Sequence, residues 1–384
     1  MPQRRSFAIK LKITEQKKMR TIFTAVAAFQ LLASSVPSAG HAVASPAKAP
    51  PVLRFAGSIP LAHVRGRMDH VSVDVPGNRL FAAAYDNRTL EIVDLHTGRR
   101  VRTLELDEPQ QSYFVPSVNR LFVASSGDGT VKIFDGRTFA LVRMVQLSSD
   151  ADNMRYDAVR RHVLVDYGGE KYLFGNAVAR KGEKDGAVAV LDLDGDIVGR
   201  IPIGGHPEAL QLEQKTGVRV FINDPEKHEI AVADLSNDKV LARWKAGCEN
   251  YPMALDEAHH RLFIFCRNGS YVAVFDTTGG RKVTSVRVTP GASSDDIFYD
   301  PSKSRLYVLA RMLLNPKNPR GGLGPGIVDV IQEDDPDHYR MIGVYPTGWG
   351  AQTGMFVPQW GKLFVAARHQ PTGRSAEILE YDTK

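Results

Sequence analysis

Short runs of alternating apolar and polar residues fill the chain from residue 52 to the last residues. Each run carries β-branched and aromatic residues at every second position and is bounded by Gly, Pro, Asn or Asp. A period of two with turn residues between the runs predicts β-strands joined by tight turns. No segment after residue 44 shows the spacing of an amphipathic helix. The pattern therefore predicts an all-β protein.

One phrase recurs seven times along the chain: a polar pair, an alternating strand, a turn, and a run similar to Arg-Leu-Phe-Val. The clearest copies are MDHVSVDVPGNRLFAA (68–83) and QQSYFVPSVNRLFVAS (110–125). Their hydrophobic anchors are Leu80, Leu121, Val163, Val220, Leu262, Leu306 and Leu363, with gaps of 41, 42, 57, 42, 44 and 57 residues. About four short strands per forty-odd residues is typical of a β-propeller blade.

The last unit stops after three strands, at Asp382. A further alternating run at 52–61 is available to supply the missing strand. We therefore predict a seven-bladed β-propeller, in which the N-terminal strand completes the last blade and closes the ring. Closure would leave only short sheet edges exposed. The propeller would be one domain, spanning residues 52–384.

The N-terminal region has the features of an export signal. Arg20 precedes an apolar run at 22–33, and Ala42-Val43-Ala44 fits the small-residue pattern before a cleavage site. We predict a signal peptide at 1–44, with Met19 as an alternative start, and a Pro-rich linker at 45–51. The expected location is periplasmic or secreted, with no membrane span after cleavage. The alternative is an uncleaved N-terminal anchor.

Charge and composition narrow the class of partner. Residues 1–44 carry seven basic residues and one acidic residue, so they account for the whole net charge of +6. The propeller region therefore lacks the basic excess of a nucleic-acid-binding protein. Two cysteines are too few for a disulfide scaffold or a four-thiolate metal site. Cys248 lies at the start of the first strand and Cys266 at the end of the second strand of one predicted hairpin. A hairpin brings these two positions to the same face, so the cysteines form either a disulfide or two buried thiols.

The repeat resembles the YVTN or YncE-like seven-bladed propellers, a secreted bacterial family related to lactonase-type propellers. The resemblance is carried by NRLFAAAYDNRTLEIVDL (78–95), NRLFVASSGDGTVKIFD (119–135) and HRLFIFCRNGSYVAVFD (260–276), and it covers residues 52–384. It implies the propeller fold. It implies little about chemistry, because propellers host many unrelated functions.

The first strands of all blades begin on one face of a propeller, so polar residues before them would form a ring at the channel mouth. The first positions of this ring are Asp69, Gln110, Asp152, Glu208, Tyr251, Asp295 and Gln352. With their neighbours they give the candidate ligand-binding residues Asp69, His70, Gln110, Asp152, Asn153, His206, Glu208, Asn250, Asp295 and Asp296.

Converging carboxylates repel one another unless a cation, neighbouring arginines, raised pKa values or water offset the repulsion. Oxygen donors suit a divalent cation such as calcium or magnesium, and the candidate metal ligands are Asp69, Asp152, Glu208 and Asp295. His70 and His206 are the candidate catalytic residues. The alternative is a structural role, in which these side chains bind strand-start backbone groups and channel water.

Two long insertions would lie on the same face, at Gly168–Gly186 in the third unit and Arg311–Gly326 in the sixth. Insertions of this kind are often binding loops. Their basic residues are expected to meet an anionic ligand there: Lys171, Lys181, Lys184, Lys317 and Arg320.

Two functions fit these features. The first is a monomeric, exported propeller that binds a small-molecule ligand or a protein partner at the channel mouth. The alternative is a metal-assisted lactonase, hydrolase or lyase acting on a small organic acid or lactone there. The sequence has no G-x-S-x-G and no H-E-x-x-H motif, which favours the first.

Overall fold

The computed structural model describes residues 51–169, 186–314, 323–370 and 372–384, and the backbone of 171–173 and 176–178. The predicted signal peptide and nearly all of the linker lie outside the described residues. So do Lys181, Lys184, Lys317 and Arg320, and nothing is described of the Lys171 side chain. No described helix is long and apolar enough to cross a membrane.

The described chain forms seven four-stranded antiparallel sheets, the blades of a β-propeller. The first strand is β1 (Leu53–Leu61). Blade 1 is β2 (Val71–Asp74), β3 (Arg79–Ala84), β4 (Thr89–Asp94) and β5 (Arg99–Glu105). Blade 2 is β6 (Pro109–Val115), β7 (Arg120–Ser125), β8 (Thr130–Asp135) and β9 (Leu141–Gln146). Blade 3 is β10 (Met154–Asp157), β11 (His162–Tyr167), β14 (Ala187–Leu191) and β15 (Ile197–Pro202), with the inserted pair β12 (Lys171–Leu173) and β13 (Asn176–Val178).

The second half of the chain repeats the pattern. Blade 4 is β16 (Leu210–Leu212), β17 (Arg219–Asp224), β18 (Glu229–Asp234) and β19 (Lys239–Lys245). Blade 5 is β20 (Asn250–Asp256), β21 (Arg261–Cys266), β22 (Tyr271–Asp276) and β23 (Lys282–Arg287). Blade 6 is β24 (Ala292–Asp300), β25 (Arg305–Leu313), β26 (Leu323–Asp335) and β27 (His338–Trp349). Blade 7 contains β28 (Thr353–Val357), β29 (Lys362–Ala367) and β30 (Ala376–Thr383).

Strand β1 completes blade 7, as predicted. It pairs antiparallel with β30, from Leu53 opposite Thr383 to Leu61 opposite Ala376. The sheet order is β1-β30-β29-β28, so the outermost strand of the last blade comes from the start of the propeller domain. The predicted all-β, seven-bladed fold and its closure are confirmed.

The core lies between neighbouring blades, because each second strand buries both of its faces. Leu80 and Phe81, adjacent in β3, are both fully buried. Leu80 packs in a cluster with Phe364 of blade 7, whereas Phe81 packs in a cluster with Leu121 of blade 2. Successive side chains of a strand point to opposite faces, so the continuous apolar run of the repeat fills two interfaces at once.

In five of the seven blades, an arginine at or just before the apolar run joins two blades. Arg219 donates from Nη1 to the carbonyl oxygen of Thr277 in blade 5, at 2.8 Å. Arg261 donates from Nε to the carbonyl oxygen of Pro336 in blade 6, also at 2.8 Å. The same kind of contact joins Arg79 to Gly136, Arg160 to Gly217 and Arg305 to Lys384. These interblade bonds give the repeated arginine a structural role.

Cys248 and Cys266 form a disulfide in this structure. Both side chains are fully buried in the apolar layer between blades 4 and 5. The bond links the chain just before β20 to the last residue of β21. Of the two arrangements open from the sequence, the structure contains the disulfide.

Candidate functional site

A cavity of about 180 Å³ lies where the first strands begin and the second strands end. Six of the seven first-position residues line it, namely Asp69, Asp152, Glu208, Tyr251, Asp295 and Gln352. The remaining described lining residues are Arg67, His70, Asn153, Pro252, Arg267, Arg311 and Arg368. The propeller topology thus brings together residues that are far apart in the sequence.

His70 is a buried titratable group of the site, with 5% of its surface exposed. Its Nδ1 lies 3.1 Å from Oδ1 of Asp296, and its Nε2 lies 3.9 Å from carboxylate oxygens of Asp69 and Asp152. Burial lowers the pKa of His70, but the nearby carboxylates, led by that of Asp296, outweigh burial and raise the pKa to about 9. His70 therefore carries a proton at neutral pH.

Asn153 positions the groups around this imidazole. Its Nδ2 donates to the carbonyl oxygen of Glu208 at 2.8 Å and to Oδ1 of Asp152 at 3.3 Å. The same Nδ2 lies 3.3 Å from Nε2 of His70. This one side chain therefore contacts residues of blades 1, 3 and 4 at the mouth.

Several carboxylates of the ring have a basic partner. Arg67 forms an ion pair with Asp69, and Arg267 forms one with Asp295. Oε1 of Glu208 lies 3.1 Å from Nε2 of the buried His206. These neighbours offset the repulsion between acidic groups that the sequence alone placed around the channel.

Asp152 is a buried carboxyl group that lies among other acidic groups of the site. Burial is the main cause that raises its pKa well above the usual value, and repulsion from Asp166, Glu208 and Asp69 adds to it. Asp166, in β11, is fully buried, and its pKa is likewise raised well above the usual value by burial. Its Oδ1 accepts from the backbone N–H of Asn153 at 2.7 Å, and its Oδ2 has no hydrogen-bond partner among the described residues. Two buried acids this close cannot both ionise readily near neutral pH.

Sequence reasoning missed three arginines that line the cavity: Arg267, Arg311 and Arg368. They occupy the same repeat position, directly after the apolar run, in HRLFIFCR (260–267), SRLYVLAR (304–311) and GKLFVAAR (361–368). The other four blades carry Tyr85, Ser126, Gly168 and Pro225 there. The signal was therefore present in the alignment of the seven copies, five positions after the hydrophobic anchor.

Arg311 and Arg368 differ from Arg67 and Arg267 because no described carboxylate pairs with them. Nε of Arg311, and Nε and Nη2 of Arg368, are buried without a hydrogen-bond acceptor among the described residues. Burial, followed by repulsion from Arg267 and Arg67, lowers the pKa of Arg311 to about 10. Burial, followed by repulsion from Arg311 and Arg67, lowers the pKa of Arg368 to about 9.

Four candidates from the sequence do not line this cavity, namely Asp296, which lines the second cavity described below, and the following three. His206 is fully buried, and its Nδ1 lies 2.7 Å from the carbonyl oxygen of Gly168. Asn250 is also fully buried, and its Nδ2 donates to the carbonyl oxygen of Glu229 at 2.8 Å. Gln110 lies behind the rim and donates to Oδ2 of Asp152 at 3.2 Å. All three hold backbone or side-chain groups of the site.

A second cavity, of about 450 Å³, lies along the inner strands towards the opposite face. Its lining is largely apolar and includes Tyr113, Phe298 and Phe356, together with Asp296. His70 lines the first cavity, and its partner Asp296 lines the second. The pair therefore lies between the two cavities.

The described ends of both insertions lie near the mouth. Backbone atoms of Gly205 and His206 lie close to Gly169 and Gly186, which flank the blade 3 insertion. In blade 6, Leu313 pairs with Leu323 across the second insertion, and Arg311 lies at its base. What the middle of each insertion contacts lies outside the described residues.

The four candidate metal ligands do not form a compact ligand set. The described residues contain one trio of acidic and histidine side chains whose donor atoms lie within 4.8 Å of one another, Asp256, His259 and Glu333. This trio is at the opposite ends of the strands. His259 there lies 2.6 Å from Asp256, and Tyr299 donates to Glu333, so the groups already have partners.

The described lining contains no Ser, Thr, Cys or Lys that could act as a nucleophile. It offers guanidinium, imidazolium and amide donors, which can bind and orient a small molecule. No protein-family model matches the sequence, and no curated protein was found to be similar to it.

Proposed function

We propose that the chain is an exported binding propeller that holds a small ligand at the channel mouth. The observation that supports this most directly is the 180 Å³ cavity, whose charged lining is largely fixed by ion pairs and hydrogen bonds. Fixed side chains lose little entropy on binding, which favours affinity. The volume is below the roughly 300–1,000 Å³ typical of pockets for drug-sized ligands, so the ligand would be compact.

The YVTN/YncE-like family is part of the same proposal. It rests on the repeated NRLF phrases and on the way in which β1 closes the ring. Periplasmic or secreted location follows from the predicted signal peptide. The chain would act as a monomer, because closure of the ring leaves only short sheet edges exposed.

Binding fits the site better than metal-assisted hydrolysis. A cation held by Asp69 and Asp295 would have to displace Arg67 and Arg267. Burial raises the pKa of Asp152 well above its usual value, which disfavours the ionised form that would bind a cation. Charge neutralisation by these arginines replaces the role that a calcium or magnesium ion would otherwise have.

A thermal-shift screen of purified protein tests the proposal. The panel contains small organic acids, amines, neutral polyols and lactones, and the chlorides of calcium and magnesium. A ligand at about 100 times its dissociation constant stabilises the folded state by about 2.7 kcal/mol. We expect a compact organic compound to stabilise the wild type but not the Asn153→Ala variant. The matched control is Asp135→Asn, in an exposed turn far from the mouth, which should respond like the wild type.

Stabilisation by a divalent ion alone, together with hydrolysis of an added lactone, would support the metal-assisted alternative instead. If no member of the panel stabilises the wild type, or if a compound stabilises the wild type, Asn153→Ala and Asp135→Asn to the same extent, the proposed small-ligand site at the channel mouth is contradicted.

A further inference from the structure

We propose that the ligand at the channel mouth is a small carboxylate, and that Arg311 and Arg368 bind its carboxylate group. This inference rests on the proposed binding function and adds the chemical class of the ligand. The two guanidinium groups lie in the lining of one cavity, at equivalent positions of neighbouring blades 6 and 7.

Most charged groups of the described site have a partner of opposite charge. Arg67 is paired with Asp69, Arg267 with Asp295, and His70 with Asp296. Glu208 lies against His206, and Asp152 accepts a hydrogen bond from Gln110. Arg311 and Arg368 form no ion pair with a described residue, so an anionic group that pairs with them is what the cavity lacks.

Arg368 is buried without a hydrogen-bond partner for part of its guanidinium group. Arg368 is only 8% exposed, yet its Nε and Nη2 have no acceptor among the described residues. A buried donor without a partner is destabilising, and a charged donor is more so. Proteins retain such groups where a ligand supplies the missing acceptor. A carboxylate has two oxygens that match the parallel N–H groups of a guanidinium.

The side chain of Arg368 is held in place by its neighbours. Gly350 has a φ of +60°, a region that favours glycine, and a Cβ there would lie 2.7 Å from Cδ of Arg368. The side chain of Arg368 therefore packs directly against the backbone of the loop before β28. Its backbone N–H is bonded to the carbonyl oxygen of Trp349 at 3.1 Å. These contacts fix the start and the middle of the side chain and leave the guanidinium end at the cavity.

The electrostatic surroundings of Arg311 and Arg368 favour the binding of an anion. Burial is the main cost of the charge on each of the two arginines, and repulsion from other arginines of the site adds to it. Attraction from Asp69 offsets only part of this cost, because the pKa of each arginine is lowered on balance. An anion between the two arginines would offset both effects.

Isothermal titration calorimetry on the full propeller tests the inference. The probes are acetate, glycolate, malonate and succinate, with succinamide as the neutral counterpart and inorganic phosphate as a different oxyanion. We expect at least one carboxylate to bind, and succinamide not to. Arg311→Gln and Arg368→Gln should each weaken carboxylate binding by about ten- to hundredfold, because each removes a charged hydrogen-bond donor. Arg65→Gln, on an exposed residue near the same face, should bind like the wild type.

Thermal unfolding without ligand provides a second readout. Because Arg368 lacks an acceptor, Arg368→Gln should unfold at the same temperature as the wild type or at a higher one. A marked fall would show that Arg368 has a structural partner and would overturn its assignment to the ligand.

The remaining outcomes separate the two proposals. If only phosphate binds, and both arginine variants weaken it, the assignment of a carboxylate is wrong. If a neutral compound binds equally well to wild type and arginine variants, this inference fails while the proposed binding function stands. If nothing binds the wild type in this assay or in the wider screen, both fail.

Discussion

Nδ1 of His70 lies 3.1 Å from Oδ1 of Asp296, although 226 residues separate the two in the chain. His70 precedes the first strand of blade 1, and Asp296 belongs to the first strand of blade 6. Blade 7 lies between these two blades in the ring, so the contact joins blades that are not neighbours. Oδ2 of Asp296 also accepts the backbone N–H of Gly354 in blade 7, at 2.9 Å. One buried pair thus connects three blades and lies between the two cavities of the axis.

Replacing His70 by Gln is expected to change how stability depends on pH. The pKa of His70 rises from 6.5 to about 9 on folding, so the folded state binds this proton more tightly than the unfolded state. Its contribution is fully present below pH 6.5 and is lost as the pH rises through 9. The full effect corresponds to about 3 kcal/mol. Urea unfolding of wild type and His70→Gln between pH 6 and pH 9.5 measures the difference.

The control for this experiment is His338→Gln. His338 lies in an exposed turn beside Asp335, which raises its pKa, but solvent screens the pair. This variant should follow the wild-type curve closely. Parallel curves for the wild type and His70→Gln over the whole range would refute the contribution assigned to His70.

Asp166→Asn is expected to stabilise the protein above neutral pH. Burial raises the pKa of Asp166, so the folded state favours its protonated form, and stability falls as the pH rises above the usual value for Asp. Asn is neutral at every pH and can still accept from the N–H of Asn153. The unfolding temperature of Asp166→Asn should exceed that of the wild type at pH 8, with little difference at pH 4.

Asp135→Asn provides a comparison of opposite sign. This exposed side chain accepts backbone N–H groups of Arg137 and Thr138, which lower its pKa. The Asp135→Asn variant should therefore lower the unfolding temperature, and by more at pH 8 than at pH 4. If Asp166→Asn behaved like Asp135→Asn, the charge of Asp166 would be stabilising and our account of the pair would be wrong.

The fold could be predicted from the sequence because the residues that pack between the blades follow a pattern that is complete within each repeat. Leu80 and its counterparts alternate with residues of the opposite face, so a period of two within each repeat already specifies a sheet buried on both sides. The placement of β1 followed from the incomplete last unit. Six first-position residues could likewise be placed around one cavity, because the repeat fixes where each first strand begins.

The partners of those residues could not be predicted in the same way. Arg267 reaches Asp295 of the next blade, and the pairing of His70 with Asp296 depends on the diameter of the ring. Such contacts are set by the closed structure and leave no spacing in the sequence. The acidic ring therefore suggested a cation site, whereas the structure places arginines beside Asp69 and Asp295. Arg311 and Arg368 were visible in the repeat but lay outside the ring considered.

Removing the disulfide is expected to destabilise the domain by about 3 kcal/mol. Cys248 and Cys266 are 18 residues apart, and a crosslink that closes a loop of about this length restricts the unfolded chain by roughly that amount. Urea unfolding with and without a reductant measures the effect. The double variant Cys248→Ala/Cys266→Ala should be insensitive to the reductant. Equal stability of oxidised and reduced wild type would contradict the prediction.

Deleting residues 52–61 is expected to abolish cooperative unfolding, because β1 supplies the outer strand of blade 7. Leu53, Ile59 and Leu61 are almost fully buried, and burial of each such side chain contributes about 1.5–3 kcal/mol. The deletion would also expose β30 along its whole length, and an unpaired edge favours aggregation. Thermal unfolding of a chain beginning at Ala62 should be broad and lower than that of a chain beginning at Pro51. Adding a peptide of residues 52–61 should restore part of the transition, since the edge of β30 remains available to it. A sharp transition at the wild-type temperature without the peptide would show that the ring is stable without this strand.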